Sequence, residues 1–252
     1  MSHILSKRRR CGILLPITAL PDGAENGDFD SAPRFIDWLA KAGVTVWQIL
    51  PLGPTHDDLS PYLCLSAHAG NPALIGLRWL AKQQFFEASA STGDRRQTLG
   101  QAYLLFRHRA DAQLVAEYEA FVSDATHWLE DYATFFVLWQ HHKQLSWTEW
   151  PQALRDRTPS ALAQAQERWA QAIDEVKFTQ FLFFKQWREI REYAQSRGVL
   201  IFGDMPLFVA HDSADVWANR HYFKLADNGT ASVVAGVPPD YFSATGQRWG
   251  NP

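Results

Sequence analysis

Residues 32–53 read APRFIDWLAKAGVTVWQILPLG. The first half has helical spacing. Ser31 is a candidate N-cap, Pro33 sits in the first turn, and Phe35, Trp38, Leu39 and Ala42 share one face. Gly43 marks the stop. The second half, VTVWQILPLG, is β-branched and aromatic and closes on Pro51 and Gly53, as a strand does. Upstream, Cys11–Leu15 is a short apolar run ended by Pro16, which predicts a buried strand, and PDGAENGDFDS, residues 21–31, is thick with turn residues. Strand, helix and strand with short joints make a βαβ unit, so the two strands are expected to be parallel.

Further along, residues 54–77 are irregular and rich in Ser, Pro, Asn and Gly. From about Arg78 to Arg197 the chain turns Gln-, Ala-, Glu- and Arg-rich with helical periodicity, interrupted around LSWTEWPQALRDRTPSA, residues 145–161. FTQFLFFKQWREIREYAQSRG then closes a last helix on Gly198. VLIFGDMPLFV, residues 199–209, is almost continuously apolar and predicts a third strand buried on both faces. A short helix follows it in AHDSADVWAN, capped by Asp212 or Ser213. Three parallel strands covered by helices suit either an open doubly wound sheet or a (β/α) barrel. A barrel needs eight strands, and the parallel edge left bare after Val209 suggests that the sheet is incomplete in this chain.

The bulk numbers exclude several classes. The chain has 252 residues, 46% hydrophobic and 20% charged, enough for a large core. A net charge of −3 lacks the basic footprint that nucleic acid requires. No run approaches the roughly 18 apolar residues of a membrane span. Lys7-Arg8-Arg9-Arg10 before Cys11–Leu15 resembles the start of a signal peptide, but Pro16 and Thr18 interrupt the apolar run and no cleavage site follows. The two cysteines, Cys11 and Cys64, are spaced for neither a metal knuckle nor a redox pair, and so small a number points to a reducing, cytoplasmic setting. His141-His142 lacks a third ligand at zinc-like spacing and reads as helix surface. There is no Gly-rich phosphate loop and no G-x-S-x-G. The eleven tryptophans leave two readings open: an aromatic core, or indole faces that stack on pyranose rings.

Ligand sites in parallel α/β folds gather where strands end at their C-termini. Three loops leave such ends here: PITALPDGAENGDFD, PLGPTHDDLSPYLCLSAHAGNP and DMPLFVAHDSADVW. All three carry acids and proline-fixed backbone, and a site at that face would draw on all of them.

The longer motifs then add a resemblance. ILPLGPT with SPYLCLSAHAGNPALI, WTEWPQALRDR, GDMPLFVAHDSADVWAN and AGVPPDYFSATGQRWGNP, in that order from about Arg10 to Pro252, resemble the amylomaltases, the family of 4-α-glucanotransferases or disproportionating enzymes. The resemblance implies a (β/α)8 TIM barrel whose amino-terminal part is this chain. Residues 1–83 would be its first βαβ part, 84–176 a helical subdomain inserted between strands 2 and 3, and 177–252 the return helix, third strand and active-site lid loop. It implies transfer of α-1,4-glucan segments between maltooligosaccharides, with retention, through a covalent glucosyl-enzyme. Such chemistry needs two carboxylates about 5 Å apart and no cofactor or metal. The family's nucleophile lies in an Arg-x-Asp-His-x-Arg stretch. No Asp-His dipeptide occurs here, so nucleophile and acid/base are expected beyond Pro252, and the chain alone is expected to be inactive. Carried over residue by residue, the substrate-binding side chains are Ser60, Tyr62, Asp204, Tyr241, Phe242, Gln247 and Trp249, and the partners are α-1,4-glucans. The first loop departs from the family pattern: Ile17-Thr18-Ala19 stands for Pro-Thr-Ser and Asp30 for a Gly. Cys64 stands where Gln is common, and Asp57-Asp58-Leu59 replaces a Gly-containing stretch. The competing readings are a non-catalytic α-glucan-binding module and a helical interaction protein built on residues 84–197.

Overall fold

The computed structural model describes residues 9–21, 26–85 and 94–252. Lys7 and Arg8 of the basic start, residues 22–25 of the first loop, and residues 86–93 of the helical region fall outside them. The chain divides into two compact units, one formed by Met1–Leu52, Gly70–Val115 and Thr179–Met205, the other by Gly53–Ala69, Ala116–Phe178 and Pro206–Pro252.

The first unit holds a parallel sheet of three strands, β1 (Gly12–Leu14), β2 (Val46–Gln48) and β3 (Leu200–Phe202), in the order β1-β2-β3. Gly12, Val46 and Leu200 align across it, as do Ile13, Trp47 and Ile201. The parallel βαβ expectation therefore holds. Trp47 in the central strand is fully buried, and its indole N–H donates to the Leu15 carbonyl at 2.8 Å. The expectations that the first strand is buried and that the third is buried on both faces do not hold. Residues of β1 are exposed or half-buried, and Phe202 in β3 is 47% exposed. Each of these strands pairs on one side only, and a one-sided strand keeps less cover whatever its composition. The third strand also stops at Phe202. From Gly203 the chain leaves the ladder, and Met205 and Leu207 are exposed at 77% and 87%.

Helix α1 (Ala32–Lys41) buries Ala32, Ile36 and Leu39, spaced at i, i+4 and i+7. Trp38 and Ala42, expected on this face, are exposed. The stripe turns by one position, and Trp38 only stacks on half-buried Phe35, with ring centroids 5.7 Å apart. Ser31 makes no capping bond to α1. Its hydroxyl donates instead to Pro21 O, while Asp28 accepts from Asp30 N and caps the 3-10 turn before it. Helices α2 (Leu77–Lys82) and α3 (Arg95–Arg109) follow. Asp30 anchors α2 through space: its carboxylate accepts from Arg78 N at 2.8 Å and Trp79 N at 3.0 Å.

Between β2 and β3 come seven helices among the described residues. They continue with α4 (Ala112–Asp124), α5 (Leu129–His141), α6 (Gln152–Arg155), α7 (Pro159–Arg168) and α8 (Ala170–Ser196). The break expected near residues 145–161 holds a 3-10 turn at Trp147–Glu149 and the four-residue α6. The division between units falls within α4 and α8. In the first unit, α8 carries two glutamines that are almost wholly buried. Gln180 pairs with both backbone groups of Gly70, at 2.7 and 3.0 Å, and Gln186 accepts from Gly76 N at 2.9 Å. Buried amides need such partners, and backbone groups of the loop after β2 supply them.

The second unit packs around Tyr132, Phe135 and Leu138 of α5, Trp147, Trp150, and Val216 and Trp217 of α9 (Ala214–Ala218). Three indoles here are structural in a specific sense. Trp147 donates to His211 O, Trp150 to Leu145 O and Trp217 to Leu154 O, so each buried N–H is satisfied while its ring fills the core. Ser213, one of the two candidate caps, closes α9 by accepting from Val216 N; Asp212 is occupied by the Ser146 hydroxyl at 2.6 Å. The chain ends in a two-stranded antiparallel ribbon, β4 (Gly236–Val237) with β5 (Gln247–Arg248). Among the described residues no helix is long and apolar enough to cross a membrane.

Candidate functional site

The second unit contains an open cleft of about 520 Å³, within the range of small-molecule sites. Three segments line it, each for a local reason. The first is a loop closed on itself by an antiparallel bridge between Thr55 and Cys64 and by Leu65 N donating to Pro54 O. Ser60, Tyr62 and Leu63 face the cleft from its tip. Asp58 takes the Ser60 amide at 3.0 Å, and Leu59 adopts φ 57°, a left-handed conformation that a leucine enters at a cost of about 1–2 kcal/mol. The base of the loop is tied to α9, with Ala214 N donating to Leu65 O and Ala67 N to Asp215 at 2.9 Å.

The second segment is Pro206–Phe208. The third is the end of the terminal ribbon, where Arg248, Trp249 and Asn251 face the cleft. Trp249 N donates to Ala235 O, Ala235 N to Asn251 O, and the Asn251 side-chain amide to Val209 O at 2.8 Å. The Trp249 and Phe208 rings stand 6.2 Å apart at 56°, forming an aromatic corner. The Trp249 indole N–H is held by Gln247 Oε1 at 3.1 Å.

Of the seven side chains expected from sequence, the cleft brings together Ser60, Tyr62 and Trp249. Gln247 enters indirectly, as the partner of the indole. Tyr241 and Phe242 lie in the turn of the ribbon and are 97% and 88% exposed, their rings 5.5 Å apart. That turn is nonetheless ordered by bonds. Asp240 Oδ1 accepts from Phe242 N and Ser243 N, and the Ser243 hydroxyl donates to Gly246 O. Asp204 is exposed, two residues past β3, and belongs to the first unit. Phe208, Arg248 and Asn251 line the cleft without having been expected there. The apolar run through Phe208 reads as buried strand until its exposure is seen. His211 is structural: its Nε2 pairs with Gly229 O at 2.8 Å and its ring stacks on Trp147.

The lining residues offer stacking faces, a hydroxyl, a phenol, an amide and a guanidinium, and no carboxylate. The cleft can therefore hold a polar ring compound between aromatic walls, but it lacks the paired acids of glycoside chemistry. Burial pushes the Cys64 thiol behind the loop up to about 11, helped by Asp215 and Asp58, which makes it a packing residue. Among the described residues no group of three or more His, Cys, Asp or Glu could hold a metal ion.

A profile of glycoside hydrolase family 77, described as 4-alpha-glucanotransferase, matches residues 15–252. The chain belongs to this family. It is 45% identical over 263 residues to the 4-alpha-glucanotransferase of Synechocystis sp., covering 97% of this chain and 52% of that protein. With the 4-alpha-glucanotransferase of Thermus thermophilus the identity is 42%, covering 97% of this chain and 51% of the other. Among solved structures, the amylomaltase of Streptococcus agalactiae in complex with acarbose matches with a TM-score of 0.90 at 33% identity, over 97% of this chain and 53% of that one. The chain thus spans about half the length of the curated relatives it matches, corresponding to their amino-terminal half.

Proposed function

We propose that this family 77 chain is the glucan-binding, amino-terminal half of a 4-α-glucanotransferase that moves α-1,4-glucan segments between maltooligosaccharides in the cytoplasm. In this reading β1, β2 and β3 begin a (β/α)8 barrel, residues 84–176 form an inserted helical subdomain, and residues 177–252 supply the return helix, third strand and lid. Ser60, Tyr62, Asp204, Tyr241, Phe242, Gln247 and Trp249 bind substrate. Retention through a glucosyl-enzyme needs a nucleophile and an acid/base on separate carboxylates, and these lie outside the 252 residues. What these residues contribute is orientation and exclusion of water: Tyr62 and Trp249 clasp a pyranose, and the ribbon bearing Tyr241 and Phe242 covers the chain.

The observation that carries the reading is the cleft itself, with an aromatic corner at Trp249 and Phe208 and with Ser60 and Tyr62 among the polar groups lining the same space. The test is a pair of measurements on the 252-residue chain. Calorimetric titration with maltotetraose is expected to show saturable binding, and incubation with maltotriose is expected to release no glucose. A flat titration with a folded sample refutes the binding role. Glucose accompanied by longer oligomers places the carboxylates within these residues and refutes the division of labour.

A further inference from the structure

Asn251 is 4% exposed, yet it lines the cleft. Its Nδ2 donates to Val209 O at 2.8 Å and its own backbone carbonyl accepts from Ala235 N. The Val209 carbonyl can only accept, so the amide nitrogen must lie on that side and the carboxamide oxygen on the other. That oxygen has no hydrogen-bond partner among the described residues, and it is absent from the buried polar atoms closed off without one. An amide buried this deeply ordinarily satisfies both ends. One end is spent on locking the orientation, and the other is left as an acceptor on a residue that lines an aromatic cleft.

We propose that Asn251 Oδ1 accepts a hydrogen bond from one hydroxyl of a bound α-glucan, making Asn251 a specificity-determining residue of the cleft. This rests on the glucan-binding reading above. Val209 acts as the orienting partner: its carbonyl fixes the amide plane, so the acceptor is presented without loss of rotamer freedom on binding. A site built to accept from a hydroxyl discriminates against the analogue that lacks it, because the acceptor is then left unpaired.

The test is a cycle between residue and ligand, read by calorimetry with maltotetraose and its monodeoxy derivatives. In the wild-type chain, one derivative should bind about five- to tenfold more weakly than maltotetraose, the scale of one neutral hydrogen bond. In Asn251→Ala that ratio should fall to near one, whatever the absolute affinity. Should the alanine variant lose its native circular dichroism, the shape-matched Asn251→Leu is read in its place. A ratio that survives in the alanine or leucine variant makes Asn251 a clamp only and overturns the proposal, as does a wild-type panel in which no derivative loses affinity. Failure of the wild-type chain to bind maltotetraose refutes the glucan reading itself and is seen before any variant is made.

Discussion

Gly246→Ala should weaken glucan binding while leaving the rest of the chain folded. Gly246 sits at φ +75°, and a Cβ there would come 2.5 Å from Val237 O and 3.0 Å from Pro238 C. The obstructing atoms are backbone, so no side-chain rotation relieves them. Left-handed backbone alone costs an alanine about 1 kcal/mol, and the contact brings the total to about 2 kcal/mol. The ribbon can ill absorb this, because β4 and β5 have two residues each and a two-stranded hairpin is marginal in water. If the ribbon is formed by a margin of about 1 kcal/mol, a penalty of about 2 kcal/mol changes its population from about 5:1 formed to about 1:5. Since the ribbon carries Trp249 and Asn251 to the cleft, with Trp249 N and Asn251 O both bonded to Ala235, the apparent Kd for maltotetraose should rise about fivefold. Gly250→Ala is the control. Gly250 also has positive φ, +80°, but nothing lies within 4 Å of its Cβ position, so only the conformational term acts and the Kd should rise about twofold. Calorimetry reads the affinities and circular dichroism the melting temperature. Equal effects of the two substitutions, or a fall in affinity matched by loss of the main unfolding transition, would refute the reasoning.

Two further outcomes test the fold. Asp30 is buried between the 3-10 turn and α2, and burial raises its carboxyl above the usual range, partly offset by the Arg78 amide. A raised folded pKa means that its contribution to stability grows as pH falls through that pKa toward 3.8 and shrinks as pH rises. Asp30→Ala removes a cap of about 1–2 kcal/mol, and the difference in melting temperature from wild type should widen between pH 7 and pH 4; a narrowing difference would contradict the assignment. Cys11 is exposed and Cys64 buried, with its thiol at about 11. At pH 8 only about one Cys64 in a thousand is thiolate, so an aromatic disulfide reagent should titrate one thiol quickly and the second only on unfolding; two fast thiols would show the loop behind Tyr62 to be open.

Composition and periodicity alone carried the parallel βαβ unit, the long helical stretch with its break near residue 147, and the helix stops at Gly43 and Gly198. These are local matters: a helix end or an apolar run is decided within a few residues, and long motifs such as SPYLCLSAHAGNPALI and TGQRWGNP carry the family. Burial was decided elsewhere. The apolar run through Phe208 reads as a core strand, yet pairing on one side leaves Phe202 open, and the chain leaves the ladder from Gly203, so Leu207 and Phe208 are exposed and Phe208 supplies half the aromatic corner. Gln180 and Gln186 look like solvated helix surface but are buried because Gly70 and Gly76 offer backbone partners 110 residues away. Trp147, Trp150 and Trp217 are indistinguishable from sugar-stacking residues by sequence. They are core because carbonyls of His211, Leu145 and Leu154 receive their indole N–H groups. Asn251 has its carboxamide oxygen turned away from Val209 only because that carbonyl, 42 positions earlier, takes its donor. A one-dimensional pattern determines what a segment can form, whereas the partners of buried polar groups come from distant segments, and only the folded chain brings them within bonding distance.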